Sequence, residues 1–225
     1  MDVRLLNHTP EPERAIAAAA RLCYAPVGAA ELLEAMSDDA VRKVLRTIMR
    51  SGHLSALEHA SYTFAVDGVS RALTHQLVRH RLASYNQQSQ RYVKAETEAF
   101  VVPPTVLTSA EGADVFDAAM SAAWEAYRAL LAAGIPAEDA RYVLPNAAES
   151  KIVVTMNCRE LLHFLTLRCC KRAQWEIREL ALAILALAEP TAPYIFMDAG
   201  AACRRGPCPE GTMTCGDPYP KAPKR

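Results

Sequence analysis

Val41, Val44, Leu45, Ile48 and Met49 recur three and four residues apart, which lines one face of an α-helix. Ser37-Asp38-Asp39 marks the start of that helix with a capping hydroxyl and acids in the first turn, and Gly52 marks its end. The same reading predicts a strand over Val3–Asn7. A helix then opens at Thr9-Pro10-Glu11, continues through the alanine-rich run Ala15–Leu22 and breaks at Pro26-Val27-Gly28. The segment His53–His59 reads as a polar helical turn. Tyr62–Val66 is strand-like, with a turn expected at Asp67-Gly68. Ser70 can cap a helix carrying Ala72, Leu73 and Leu77. Arg79, His80 and Arg81 fall near the end of that helix, where cations suit its dipole.

Farther along, Phe100–Pro104 is extended, and Asp114–Ala133 is a long helix closed by Gly134. Pro136-Ala137-Glu138 starts a short helix that presents Glu138 and Arg141 on one face. Ile152–Met156 is β-branched and reads as a buried strand. Asn157, with Glu160 three residues on, has the spacing of a helix-start cap, and Leu161, Leu165 and Arg168 follow at helical intervals. Trp175–Ala188 is apolar nearly all round, which places it centrally or at an interface, and Pro190 stops it. Helices and strands mix without regular βαβ alternation, so the expected fold class is α+β. No strand leads into a GxGxxG turn, so a dinucleotide here would not occupy a Rossmann site. One domain is expected over residues 1–198, followed by a Cys/Pro/Gly-rich C-terminal tail over 199–225.

Composition narrows the class. The 225 residues are 51% apolar and 22% charged, an ordinary globular balance that can build a core without staples. The formal net charge of zero weighs against a general nucleic-acid coat. The longest apolar run, Leu180–Ala188, is too short to span a bilayer, and the first residues pattern as a strand, not a signal peptide. The expected location is the cytoplasm, where the seven cysteines stay reduced. Cys23, Cys158, Cys169 and Cys170 lie in helical patterns, where a small buried role is expected. Cys203, Cys208 and Cys215 share the tail. A structural zinc site needs four ligands at closer spacing, and only three thiols with no nearby histidine occur there, so no metal site is assigned.

One stretch breaks the charge balance. Between Ser70 and Ala95 there is no acidic residue, yet Arg71, Arg79, Arg81, Arg91 and Lys94 occur. Arg79–Arg91 packs three arginines, a histidine, two serines, an asparagine and three glutamines into thirteen residues. Arg79 and Arg81 alone would read as a solvated helix end. The dense polar run beyond them favours a binding loop for a small multiply charged ligand, above all a phosphate. Elsewhere the bland readings prevail. His53, Glu58 and His59 fit a polar turn better than a proton-transfer pair, and His75 reads as structural. Cys169 and Cys170 lie beside Arg168, Lys171 and Arg172, which would lower a thiol pKa, but no positioned base accompanies them.

Arg79-His80-Arg81-x-x-Ser84-x-Asn86-x-x-Ser89-x-Arg91 resembles the motif of the flavin-dependent thymidylate synthases, with all seven specified positions matched. The resemblance covers roughly Gly52–Phe64, Gln76–Tyr92 and Glu138–Arg178. It includes Gly52-His53-x-Ser55-x-x-Glu58-His59, Glu138-x-x-Arg141, Asn157-x-Arg159 and Leu167-Arg168, followed by Ala173-Gln174-Trp175-Glu176-Ile177-Arg178. The cysteine-containing tail resembles that of some bacterial members. The resemblance implies conversion of dUMP to dTMP, with methylenetetrahydrofolate as carbon donor and NADPH as reductant through FAD. It implies an α+β fold with a twisted central β-sheet flanked by helices, not Rossmann, assembled as a homotetramer with shared active sites. By position, Ser55, Arg79, His80, Arg81, Gln87, Asn157, Arg159 and His163 would contact FAD. Gln76, Arg79, Gln87, Gln88, Ser89, Gln90, Arg91, Arg141 and Arg168 would hold dUMP. Arg168 would be catalytic, favouring ionisation at N3 of the uracil, and no protein nucleophile would be needed. Ser89 without an assisting base is a weak candidate for one. Two positions depart from the family pattern: Gln87 stands where glutamate is usual, and His163 where some members carry asparagine. The competing reading is a non-catalytic phosphate-binding module for RNA or a regulatory nucleotide. Against it stand the zero net charge and the lack of an aromatic platform beyond Tyr85 and Tyr92.

Overall fold

A computed structural model describes residues 1–94 and 98–222. Four strands, β1 (Asp2–His8), β2 (Ser61–Ser70), β3 (Ala83–Gln87) and β4 (Glu149–Asn157), form one antiparallel sheet in the order β1-β2-β4-β3. The helices are α1 (Pro12–Leu22), α2 (Ala29–Ala35), α3 (Asp38–Ser51), α4 (Arg71–Leu77), α5 (Ala110–Ala132), α6 (Ala137–Ala140), α7 (Cys158–Arg168), α8 (Trp175–Ala188) and α9 (Pro193–Phe196). The expected α+β class and a sheet flanked by helices are both present. Among the described residues, no helix is long and apolar enough to cross a membrane.

The chain divides into two compact units. The first comprises Met1–Asp2, Val66–Leu77 and Asn86–Ile152, and the second Val3–Ala65, Val78–Tyr85 and the chain from Val153 onward. In the first unit, Trp124, Tyr127 and Ala140 are buried, with Phe100, Leu130, Leu131 and Leu144 packed against them. Trp124 and Tyr127 meet edge to face at 5.8 Å, and the buried Trp124 Nε1–H has no acceptor among the described residues. In the second unit, α8 turns Ile177, Leu180, Ala181, Ile184, Leu185 and Ala188 inward, so its apolar girth is central. Tyr62 and Phe196 meet edge to face at 5.6 Å in this core, and the Tyr62 hydroxyl bonds Thr191 at 3.1 Å.

Several helix ends follow their sequence cues. The Ser37 hydroxyl accepts from the Ala40 N–H at 3.3 Å, and Gly52 closes α3 in the left-handed region, where glycine carries no Cβ penalty. Ser70 caps α4 by accepting from the Leu73 N–H at 3.0 Å. Other cues misled. Helix α1 begins at Pro12, because Thr9 turns its hydroxyl to the Ser61 N–H at 3.0 Å. Helix α2 carries too short a pattern to stand out. Helix α5 starts at Ala110, where Ser109 accepts from the Gly112 N–H at 3.1 Å. Asp67-Gly68 does not turn the chain: β2 runs through it, with Gly68 at φ 68°. A Cβ there would lie 3.3 Å from the Met1 nitrogen.

Buried roles hold for Cys158 and Cys169, whereas Cys23 is exposed and Cys170 half-buried. His75 is exposed rather than structural. The chain after residue 198 is folded as far as described: Ala199 and Ala201 are buried, and short 3₁₀ turns span Ala202–Arg204 and Gly211–Met213. Cys203, Cys208 and Cys215 line a cavity of about 70 Å³, and Cys170 joins them there. Among the described residues, no group of three or more His, Cys, Asp or Glu is arranged to hold a metal ion. The tail expectation extended to residue 225, and its last three positions lie outside the described residues.

Candidate active site

The polar stretch expected as a loop is partly a strand. Ala83, Tyr85 and Gln87 are half-buried while Ser84, Asn86 and Gln88 are exposed. This period of two makes Ala83–Gln87 the edge strand β3. The Gln88 N–H extends the pairing to the Lys151 carbonyl at 2.9 Å. The polar composition had hidden the alternation.

Just before β3, in the second unit, His80 is buried. Its Nδ1 lies 3.1 Å from Glu160 Oε1 on α7, and Arg168 Nε–H donates to His80 Nε2 at 3.1 Å. The ring of Phe164 stands edge-on at 5.0 Å and that of His163 at 5.8 Å. The Tyr85 hydroxyl donates to the His80 carbonyl at 2.8 Å. Burial lowers the His80 pKa; the Glu160 hydrogen bond opposes that shift, while Arg168 and His163 add to it. The imidazole is therefore neutral at pH 7. Burial also lowers the pKa of Arg168, a side chain that stays charged throughout the physiological range.

Helix α7 holds this arrangement because its start is well capped. Asn157 Oδ1 accepts from the Glu160 N–H at 2.9 Å. The reciprocal half of a capping box is absent, since the Glu160 carboxylate turns inward to His80. Glu160 is the residue that sequence reasoning missed. Its signal was a carboxylate on the same helical face as Leu161, Phe164 and Leu165, which are all buried.

A cavity of about 1210 Å³ opens beside α7 within the same unit. Arg159, Glu160 and His163 line it together with Arg50, Arg204, Arg205 and Lys221, and Leu54, Leu82 and Leu162 supply apolar wall. Of the residues expected to contact a flavin, this cavity brings together Arg159 and His163. His80 lies buried against them, while Ser55, Arg79 and Arg81 are exposed and not part of the lining. Asn157 spends its side-chain oxygen on the helix cap. Arg159 also pairs with Glu58 at 2.6 Å, so Glu58 acts as a counter-ion rather than as half of a His/Glu pair.

The first unit gathers a separate set. Arg91 Nε–H donates to the Glu138 carboxylate at 2.8 Å, and Arg141 Nε–H to the Glu138 carbonyl at 2.9 Å, so one residue braces two arginines. Burial lowers the Arg71 pKa, and the nearby Arg141 charge lowers it further. Arg71 belongs to the same basic group although sequence reasoning gave it no site role. The Ser89 hydroxyl accepts from the Arg91 N–H at 3.2 Å. Gln87 is half-buried, and its Nε2 donates to Ser150 Oγ at 2.8 Å and Thr74 Oγ1 at 3.2 Å. Gln76 and Gln90 are half-buried and Gln88 is exposed.

Cysteine chemistry is disfavoured at Cys169. Burial pushes its thiol up to about 12, although Arg204 and Arg205 pull the other way.

The profile of the family described as Thy1, thymidylate synthase complementing protein, matches residues 4–194. A flavin-dependent thymidylate synthase of Geobacter sulfurreducens is 60% identical over 218 residues, covering 96% of this chain and 94% of the relative. One from Clostridium tetani is 46% identical over 230 residues, covering 95% and 92%. Among solved structures, the UMP/dUMP methylase PolB of Streptomyces cacaoi bound with 5-Br dUMP superposes with a TM-score of 0.78 at 29% identity, covering 87% of this chain and 92% of that one.

Proposed function

The chain belongs to the flavin-dependent thymidylate synthase family, and from that premise we propose that it makes dTMP from dUMP, with methylenetetrahydrofolate as carbon donor and NADPH as reductant through FAD. The observation that carries this reading is the bond between His80 and Arg168. It joins the basic motif to the distant arginine that the family pattern marks as catalytic.

The residues present suit a dinucleotide flavin. The cavity beside α7 combines apolar wall with the cations Arg50, Arg159, Arg204, Arg205 and Lys221, a donor set matched to a flat ring and a pyrophosphate. In this reading Arg159 and His163 hold the cofactor, and Ser55, Arg79, His80, Arg81, Gln87 and Asn157 are the further flavin contacts that the family resemblance implies. The bound flavin supplies the hydride that reduces the transferred carbon.

The remaining work falls to side chains. Arg91, Ser89 and Arg141 take the nucleotide phosphate, with Glu138 keeping the two guanidiniums apart and oriented. Gln76, Arg79, Gln87, Gln88 and Gln90 complete the nucleotide site. Carbon 5 of uracil is a weak nucleophile, so charge must be pushed into the ring. Arg168 stabilises the negative charge that gathers at N3 and the adjacent carbonyl as carbon 5 attacks. No thiolate is required, in keeping with the raised Cys169 thiol.

The working form is a homotetramer with shared active sites, in the cytoplasm. Large apolar side chains left exposed on the single chain, such as Tyr92, Leu107, Val115 and Tyr142, support an assembled state.

The test is anaerobic. The flavin is reduced with NADPH, and dUMP and methylenetetrahydrofolate are then added separately and together. Reoxidation that needs both, with dTMP formed, is the expected result. Failure to bind flavin even when it is supplied would overturn the enzyme reading in favour of the phosphate-binding module.

A further inference from the structure

A buried carboxylate is costly unless it is well bonded, and Glu160 is buried on α7 with its carboxylate against the His80 ring. That ring is itself buried and meets Arg168 on its far side. An arginine donates hydrogen bonds and never accepts them. His80 Nε2 must therefore carry a lone pair, and the ring proton sits on Nδ1, directed at Glu160 Oε1. Only this tautomer of the neutral imidazole satisfies both 3.1 Å bonds. The hydrogen bond at one ring nitrogen decides the state of the other. The Phe164 contact at 5.0 Å and the Tyr85 hydroxyl on the His80 carbonyl restrain the ring further. The link reaches Arg168 through Nε, next to its aliphatic stem, and so it sets the plane in which the guanidinium lies.

We propose that Glu160 is a positioning residue for Arg168: it selects the His80 tautomer that accepts from Arg168 and so orients the guanidinium for catalysis. The proposal rests on the reading of Arg168 as the catalytic arginine. Glu160 also borders the large cavity, so a direct grip on the flavin is the rival role to separate from it.

The experiment uses the flavin-loaded holoenzyme and two variants. Glu160→Gln keeps the shape and an acceptor oxygen but loses the charge, and Glu160→Ala removes the acceptor. The expected kcat falls about 10-fold in the first and about 100-fold in the second, because a displaced catalytic group costs rate and not binding. Flavin content stays within about twofold of wild type, and the loss falls on kcat more than on the KM for dUMP. Nitrogen resonances of labelled histidine report the tautomer directly. Wild type shows His80 protonated at Nδ1, and Glu160→Ala shows that state depleted.

A flavin-loaded Glu160→Gln enzyme with wild-type kcat overturns the proposal, even if the alanine variant does not fold. So does flavin lost in proportion to rate, which would assign Glu160 to the cofactor. A fall in stability with the tautomer unchanged would make Glu160 merely structural. Arg168→Ala serves as the control. Normal turnover in that variant defeats the catalytic reading itself. An inactive Arg168→Ala beside a fully active Glu160→Gln defeats only the positioning role.

Discussion

Thr74 gives its hydroxyl proton to the Arg71 carbonyl at 2.9 Å, so towards Gln87 its oxygen can only accept. The Gln87 amide meets that demand with an N–H, and the carboxylate usual in the family could not. Ser150 can rotate to donate instead, but Thr74 would have to leave Arg71. Gln87→Glu is therefore expected to destabilise the chain by about 1 kcal/mol, the net worth of one hydrogen bond, read as a lower urea midpoint at unchanged slope. His80 makes a second prediction. The charged or titratable groups facing it are Glu160, His163 and Arg168 from α7, with the Tyr85 hydroxyl on its carbonyl. Its folded pKa lies below the usual 6.5, so between 6.5 and that lower value the unfolded chain binds more protons than the folded one. Stability therefore falls as pH drops through this window and levels off below it. Melting temperatures from pH 7.5 down to pH 5, compared with a His80→Gln variant, should show a steeper acid loss in wild type. Equal slopes would place the titration elsewhere.

At the scale of elements, what could be read from the chain was whatever depends on neighbours in sequence. Helix α3 has its cap at Ser37 and its stop at Gly52, and α8 spans Trp175–Ala188 as its apolar girth requires. Strand β3 was hidden because an edge strand rich in glutamine and serine looks like a loop until its pairing with β4 is seen. The turn expected at Asp67-Gly68 failed for the converse reason: turn chemistry was present, but pairing carried the strand through it. Helix α5 presents a different case. Its buried Trp124 leaves an N–H without an acceptor among the described residues, a cost of about 1–3 kcal/mol for an unmet donor. Trp124→Phe loses contact area but also removes that donor. The expected change in unfolding free energy is within about 1 kcal/mol of zero, well short of the usual cost of trimming a buried tryptophan. A loss of several kcal/mol would mean that the indole N–H is bonded in solution.

At the scale of the whole molecule, residue types were readable and partnerships were not. His80 and Glu160 stand 80 positions apart, and Glu58 and Arg159 stand 101 apart, so no local spacing could have paired them. The motif identified the arginines, but not that Glu138 braces two of them or that Gln87 answers to Thr74 and Ser150. The proposed homotetramer predicts a solution mass by light scattering near four times the 24.6 kDa chain. A monomer that turns over dUMP at full rate would remove the shared-site part of the reading. The cysteines bear on a practical matter. Burial holds the Cys158 and Cys169 thiols up at about 12, while Cys23 and Cys215 stand in solvent. Under native conditions an alkylating reagent meets the outer thiols at once and the inner two only when their surroundings open. Mass increments at Cys158 and Cys169, followed over hours, would time the opening of α7, the helix that carries both Glu160 and Arg168, with no residue changed.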